Sequence, residues 1–178
     1  PVSVAVNGLA AGTKPQDGFV RIARAWQRGD AVVVELPMPA RRVTACEAVK
    51  DDTGRVAIER GPMVYCAEGA DNASHIRDRV LPDDASLSIQ HRRDLLGGVT
   101  ILQAEGRSLR RTSAGAVESR PETITLVPYC TWNHRGLGPM AVWLARDAEG
   151  AVPAPARTIA SRSRVSTSYC HPGDTPDA

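Results

Sequence analysis

The stretch Arg55-Val56-Ala57-Ile58-Glu59-Arg60-Gly61-Pro62-Met63-Val64-Tyr65-Cys66-Ala67 holds two short runs of β-favouring residues, 55–58 and 63–67, broken by Gly61-Pro62. Neither run is long enough for a helix of three turns, and Gly-Pro ends both, so the simplest account is two strands with a bulge or sharp bend at Gly61. The same grammar repeats on either side. Upstream, Asp51-Asp52-Thr53-Gly54 reads as a turn, and 31–38 sets Val32, Val34, Leu36 and Met38 on one face. Pro37 and Pro39 lack amide donors and place the end of that strand at an edge or outside the sheet. Further back, 19–26 reads as a strand through Val20, Ile22 and Trp26, and Val2, Val4 and Val6 alternate before Asn7-Gly8, a dipeptide suited to a tight hairpin.

Downstream, 71–79 is polar with room for one helical turn, and strand candidates follow around Leu81, Leu87 and Ile89, then 97–102, 123–129 and 140–144. No apolar period of three to four residues persists for three turns. Short strands divided by Gly, Pro and Asp clusters, without intervening amphipathic helices, predict an all-β fold: an antiparallel β-sandwich, jelly-roll-like, over residues 1–150. Residues 151–158, with Val152-Pro153-Ala154-Pro155-Ala156, read as an extended Pro/Ala linker. Residues 159–178 hold too few large hydrophobes to close a core and read as a tail or the start of a further β domain. Because Val2 begins inside a strand and the end is equally abrupt, the chain is expected to be a piece of a longer polypeptide.

The 178 residues carry 22 basic and 20 acidic side chains, a net charge of +2 and 42% apolar residues. That length fits one core with a tail. Mean hydropathy is −0.24, no apolar run approaches the ~20 residues of a membrane span, and Pro1-Val2-Ser3 does not open a signal sequence. The chain is expected to be soluble, without a membrane partner, and either cytoplasmic or secreted. Charges are interspersed, with Arg41-Arg42, Arg92-Arg93 and Arg110-Arg111 the densest basic points, so nucleic acid is not an expected partner. Lys14 and Lys50 are the only lysines, a bias that fits a GC-rich bacterial genome.

Cys46, Cys66, Cys130 and Cys170 lie far apart, without the C-x-x-C or paired histidine spacing of a zinc ribbon. They read as small buried hydrophobes, with a Cys66–Cys130 disulfide as the alternative in an exported chain. His75, His91 and His171 have no spacing that assembles a metal site. No phosphate loop, H-E-x-x-H, G-x-S-x-G or calcium loop occurs. A pair of carboxyls could serve glycoside hydrolysis, but Glu35, Glu47, Glu59, Glu68, Asp71 and Glu105 read as solvated surface charge. Asn72-Ala73-Ser74 matches a glycosylation pattern and is assigned no function. The richest segment is 128–143. Its polar loop carries Trp132, Asn133, His134 and Arg135, a set able to stack on a sugar or dock another domain. The bland alternative puts Trp132 and Trp143 in the core, with Arg135 serving loop carbonyls.

Several blocks in succession resemble one family, the β-L-arabinofuranosidases of glycoside hydrolase family 127. They are Val6-Asn7-Gly8; Gly18-Phe19 with Ile22, Arg24 and Trp26; Gly29-Asp30; Leu36-Pro37-Met38; 55–68; Asp71-Asn72; and Val127-Pro128-Tyr129 with Trp132, Arg135-Gly136 and Met140-Ala141-Val142-Trp143-Leu144. The resemblance covers roughly residues 2 to 146. It implies the β-sandwich region that follows a six-fold α/α barrel, where the barrel holds the active site: a zinc-bound cysteine nucleophile with a neighbouring cysteine and a glutamate among the ligands. Adjacent cysteines do not occur in this sequence, so no catalytic residue, metal ligand or cofactor is carried over, and zinc is expected in the catalytic domain of the parent. His134 stands where relatives usually have Asn, and Cys130 replaces a frequent aromatic. Residues 159–178 resemble the entry into a discoidin-like domain.

The expected role is therefore a non-catalytic sandwich that packs on the α/α-barrel catalytic domain of the same polypeptide and aids a homo-oligomer contact. The alternative is a free-standing carbohydrate-binding module that uses Trp132 on arabinose-containing glycans. One Phe, three Trp and three Tyr leave few aromatics for such a platform once a core is filled.

Overall fold

The computed structural model describes residues 2–12, 15–73 and 75–156. Most of the expected linker's end and all of the expected tail, 157–178 with Cys170 and His171, lie outside the described residues. The span read as one domain contains two compact units, Pro1–Ala40 and Arg41–Ala178.

In the first unit, β1 (Ser3–Val6), β2 (Leu9–Ala10) and β3 (Val32–Glu35) form an antiparallel sheet in the order β2-β1-β3. Val6 pairs with Leu9, so Asn7-Gly8 is a two-residue turn. Both of its residues have positive φ, 52° and 79°, the geometry whose twist matches the flanking strands. The Asn7 side chain secures the turn to the approach to β3: its Nδ2 donates to Asp30 Oδ1 at 2.8 Å, and its Oδ1 accepts the Ala31 N–H at 2.9 Å. β3 stops at Glu35, ahead of Pro37 and Pro39, as the missing donors require.

The strand expected over 19–26 does not form; only an isolated bridge joins Gln16 to Phe19. Phe19 and Trp26 are exposed, with the Arg24 guanidinium 5.3 Å from the Trp26 ring. β-propensity is largely a measure of burial on a pleated face, and within the described residues these side chains have no such face to fill.

The second unit is built from β4 (Ala40–Val43), β5 (Arg55–Arg60), β6 (Met63–Glu68), a single helical turn α1 (Gly69–Asn72), β7 (Arg79–Val80), β8 (Leu87–Arg92), β9 (Val99–Arg111), β10 (Val117–Pro128), β11 (Met140–Ala141) and β12 (Leu144–Ala145). The fold is all-β. Pairing runs β6-β10-β9-β7-β12-β5 and returns from β5 to β6, so one sheet folds back on itself around the core; β4, β8 and β11 attach outside this ring. The two facing layers expected from the sequence are thus halves of a continuous sheet. Closure hides edges that an open sheet would leave unpaired. Within the ring the ladders are antiparallel except β7 with β12, which run parallel.

Arg60 pairs with Met63, so Gly61-Pro62 is the two-residue turn of a β5–β6 hairpin, and the expected bend is a turn without a bulge. Gly61 takes a φ of 57° and Pro62 supplies its fixed negative φ, as a turn with Gly leading requires. The β9–β10 hairpin is longer than the expected 97–102 and 123–129, pairing from Leu102–Leu126 out to Arg111–Val117. In its outer half β10 is largely exposed and β9 buries only Gly106 and Leu109 beyond Ala104, too few residues for an apolar alternation to be read. Pro121 is tolerated because β6 covers β10 only from Leu126 onward.

The core is filled by Val56, Ile58, Tyr65, Leu81, Ile101, Leu102, Ile124, Leu126, Val127 and Leu144. Cys66, Val99, Ile101 and Val127 form one cluster of it, capped by Leu95, Leu96, Met140 and Val142. Among the described cysteines, Cys66 is buried while Cys46 and Cys130 are exposed, and all three are free thiols. The alternative Cys66–Cys130 bridge is not formed. Cys66 faces the core opposite Val127, whereas Cys130 lies beyond the strand in the exposed turn Tyr129–Thr131.

Candidate functional site

The loop from 129 to 139 leaves the end of β10, crosses the end of β6 and returns as β11, where Met140 pairs with Glu68. Its return is tight. Gly69 donates its N–H to Pro139 O at 2.8 Å, and a Cβ on Gly69 would stand 2.9 Å from Pro139 Cγ. Only a residue without a side chain allows this approach.

The loop is held by charge. Glu68, 6% exposed, accepts the Asn133 N–H on Oε1 at 2.8 Å and Arg135 Nη2 on Oε2. Asp71, from α1, takes the same guanidinium with both oxygens, Nη1 to Oδ1 at 2.6 Å and Nη2 to Oδ2 at 2.5 Å. Such bidentate geometry is the strong form of an Arg–carboxylate pair. The Asp71 bonds above all, with those of Glu68, push the Arg135 pKa further up. Asn133 sits at a φ of 67°, a conformation that Asn tolerates better than most residues.

Beneath the clamp, Asn72 is buried. It donates to Glu68 O at 2.9 Å and Thr125 O at 2.8 Å, and accepts the Thr125 N–H at 2.7 Å, which fixes α1 to β10. With its amide nitrogen bonded to both carbonyls, the Asn72 side chain is not presented to solvent for glycosylation. Arg79, also buried, donates to Asp78 Oδ1 at 2.8 Å and to Asn72 O. Burial raises the Asp78 carboxyl pKa despite that neighbour. Burial likewise pushes the Cys66 thiol up to about 12, with the Glu68 charge adding to it, so this sulfur is a neutral core atom.

Of the four candidates, Arg135 alone is drawn into the clamp by its side chain. Asn133 joins through its backbone N–H, His134 is exposed, and Trp132 is 39% exposed. Trp132 stacks on Tyr129, the ring centroids 5.9 Å apart and the planes 19° from parallel. The bland reading is corrected on two points: neither Trp132 nor Trp143 is buried, and Arg135 serves carboxylates instead of loop carbonyls. Glu68 also departs from the solvated role expected of it. Leu137, at 96% exposure, is the apolar tip of the loop, and between the loop and α1 runs an open groove of about 380 Å³. Among the described residues no group of three or more His, Cys, Asp or Glu is placed to hold a metal ion. No described helix is long and apolar enough to cross a membrane.

Against known proteins, residues 40–145 match the glycoside hydrolase family 127 C-terminal domain, and residues 1–38 match the β-L-arabinofuranosidase GH127 middle domain. The chain is 37% identical over 160 residues to a non-reducing end β-L-arabinofuranosidase of Bifidobacterium longum subsp. longum, covering 81% of this chain and 24% of that protein. A GH127 β-arabinofuranosidase of known structure superposes with a TM-score of 0.81 at 37% identity, over 87% of this chain and 24% of its own. A GH127 β-L-arabinofuranosidase from Geobacillus stearothermophilus T6 gives 0.73 at 32% identity, over 82% of this chain and 24% of its own. The chain thus spans about a quarter of the length of these relatives. With both domain matches falling in sequence order on the two compact units, the chain belongs to glycoside hydrolase family 127.

Proposed function

We propose that this chain is the non-catalytic β region of a β-L-arabinofuranosidase-type glycoside hydrolase, and that it stabilises an α/α-barrel catalytic domain by packing against it. The observation that carries the reading is the first unit's uncovered apolar surface. Every residue of β3 is exposed, and Leu9 at 75%, Val33 at 54%, Val34 at 53% and Leu36 at 64% stand in solvent. A concentration of apolar side chains on one small sheet is what an interaction surface requires and an ordinary monomer avoids.

The zinc of the parent family belongs, in this reading, to the catalytic domain. The described residues do not fit it. Cys66 is a neutral thiol sealed in the core, and its nearest carboxylates, Glu68 and Asp71, are committed to Arg135. No chemical step is assigned to them.

The test is turnover of an aryl β-L-arabinofuranoside by the complete polypeptide and by the 178-residue chain with its fold checked by circular dichroism. The reading expects hydrolysis by the first and none by the second. Turnover by the short chain that a single Asp or Glu substitution abolishes contradicts it. The exposed Tyr129–Trp132 stack favours one second reading, a sugar-binding module. Saturable binding of arabino-oligosaccharides, lost in Trp132→Ala, is the result that would replace the first reading with the second.

A further inference from the structure

We infer that the loop 129–139 is a pre-shaped docking element whose occupant is the catalytic portion of the same polypeptide, with Arg135 as the positioning residue that holds it in its binding shape. The inference rests on the proposed function and gives it a second, separate contact.

Three observations carry it. First, the loop turns three large apolar side chains outward beside the exposed Asn133 and His134: Tyr129 is 45% exposed, Trp132 39% and Leu137 96%. Leu137 stands between Gly136 and Gly138, two residues without side chains, so nothing in the loop shields it. An aliphatic tip of this kind fills a pocket in a protein; a sugar offers it no pocket. Secondly, the inward side is fixed by a guanidinium shared between Glu68 and Asp71 and by the backbone bond from Asn133 to Glu68. Drawing charges from water is costly, and this clamp supports only an exposed loop. A fixed loop loses less conformational freedom on binding, which strengthens association. Thirdly, the chain amounts to 24% of the matched relatives. A partner in the same polypeptide is present at high effective concentration, and Arg135, already paired with Glu68 and Asp71, asks no counter-charge of it.

Cys130 reports on the loop directly, since its thiol is exposed in this chain and lies between the two aromatic residues. The experiment is maleimide labelling of Cys130 in the complete polypeptide, read by peptide mass spectrometry and referenced to the same thiol in denaturant. The inference expects Cys130 to react at least about tenfold more slowly in the native polypeptide, at a rate independent of protein concentration. Trp132→Ala with Leu137→Asp, both surface changes in this chain, should restore most of that reactivity. Arg135→Met should restore it too, with Arg135→Lys recovering part of the protection.

Full reactivity of Cys130 in the native polypeptide overturns the inference. Protection lost on dilution assigns the loop to a second copy instead. Protection that appears only with added arabino-oligosaccharide assigns it to a sugar. Each of these outcomes leaves the proposed packing of the first unit standing if Val33→Asp still destabilises the complete polypeptide. If neither surface responds, the shared reading fails with this one.

Discussion

Gly106 lies midway along β9. A Cβ there would stand 2.6 Å from Val80 O and 2.9 Å from Ile124 Cγ1, closer still to Ile124 Cδ1. Gly106→Ala should therefore cost about 1–3 kcal/mol, the usual penalty of overpacking a filled core, seen as a lower urea midpoint with an unchanged slope. Arg135→Met poses the opposite problem, because it leaves buried Glu68 beside Asp71 with no counter-charge. A loss of roughly 3 kcal/mol, at the low end for breaking a buried pair because Arg135 keeps some contact with water, is expected in the same experiment. The Cys66 thiol gives a pH signature. Its folded-state pKa, about 12, lies above the ordinary 9.0, so the folded chain retains a proton that the unfolded chain releases. The contribution is complete below pH 9.0 and is lost as pH rises toward about 12. In the folded 178-residue chain Cys66 should stay unlabelled at pH 8 while Cys130 reacts, and equal reactivity of the two would refute the buried assignment.

At the scale of elements, the turns are where local sequence is decisive. Asn7-Gly8 and Gly61-Pro62 each fix a two-residue connection because few other residues accept those φ angles. Asn7→Ala removes the bonds to Asp30 and Ala31 and should speed amide exchange at Ala31 by several-fold. The Asn7 bond chiefly, with the Gln27 N–H, holds the Asp30 carboxyl below its ordinary 3.8. Its contribution to this turn is present above that pH and is lost as acid protonates it, so the protection of the Ala31 amide relative to its intrinsic exchange rate should fall below pH 3.8. Other elements were not legible. The run 19–26 has the composition of a strand but no neighbour among the described residues to pair with it. The outer β9–β10 hairpin shows the reverse case, a long ladder built largely from Arg, Glu and Ser, with Leu109 its one large buried side chain. The Arg135 clamp joins residues 64 and 67 positions apart, a juxtaposition set by the β6–β10 ladder and invisible to any local pattern. Its components could be named one by one as candidates; their pairing could not.

At the scale of the molecule, the two units differ in how they satisfy their apolar residues. The second wraps a sheet around Tyr65, Leu102, Ile124 and Leu126. The first presents β3 to solvent on every residue, which accounts for a sequence that reads as strand yet finds no core. The most direct measurement is thermal unfolding of the complete polypeptide carrying Val33→Asp and, separately, Leu36→Asp. If β3 is covered by the catalytic portion, each change places a charge in an apolar contact and should lower the melting temperature by at least about 4 °C, with faster inactivation to match. Unchanged melting curves for both variants, as expected of substitutions in open solvent, would contradict the claim that this surface is covered.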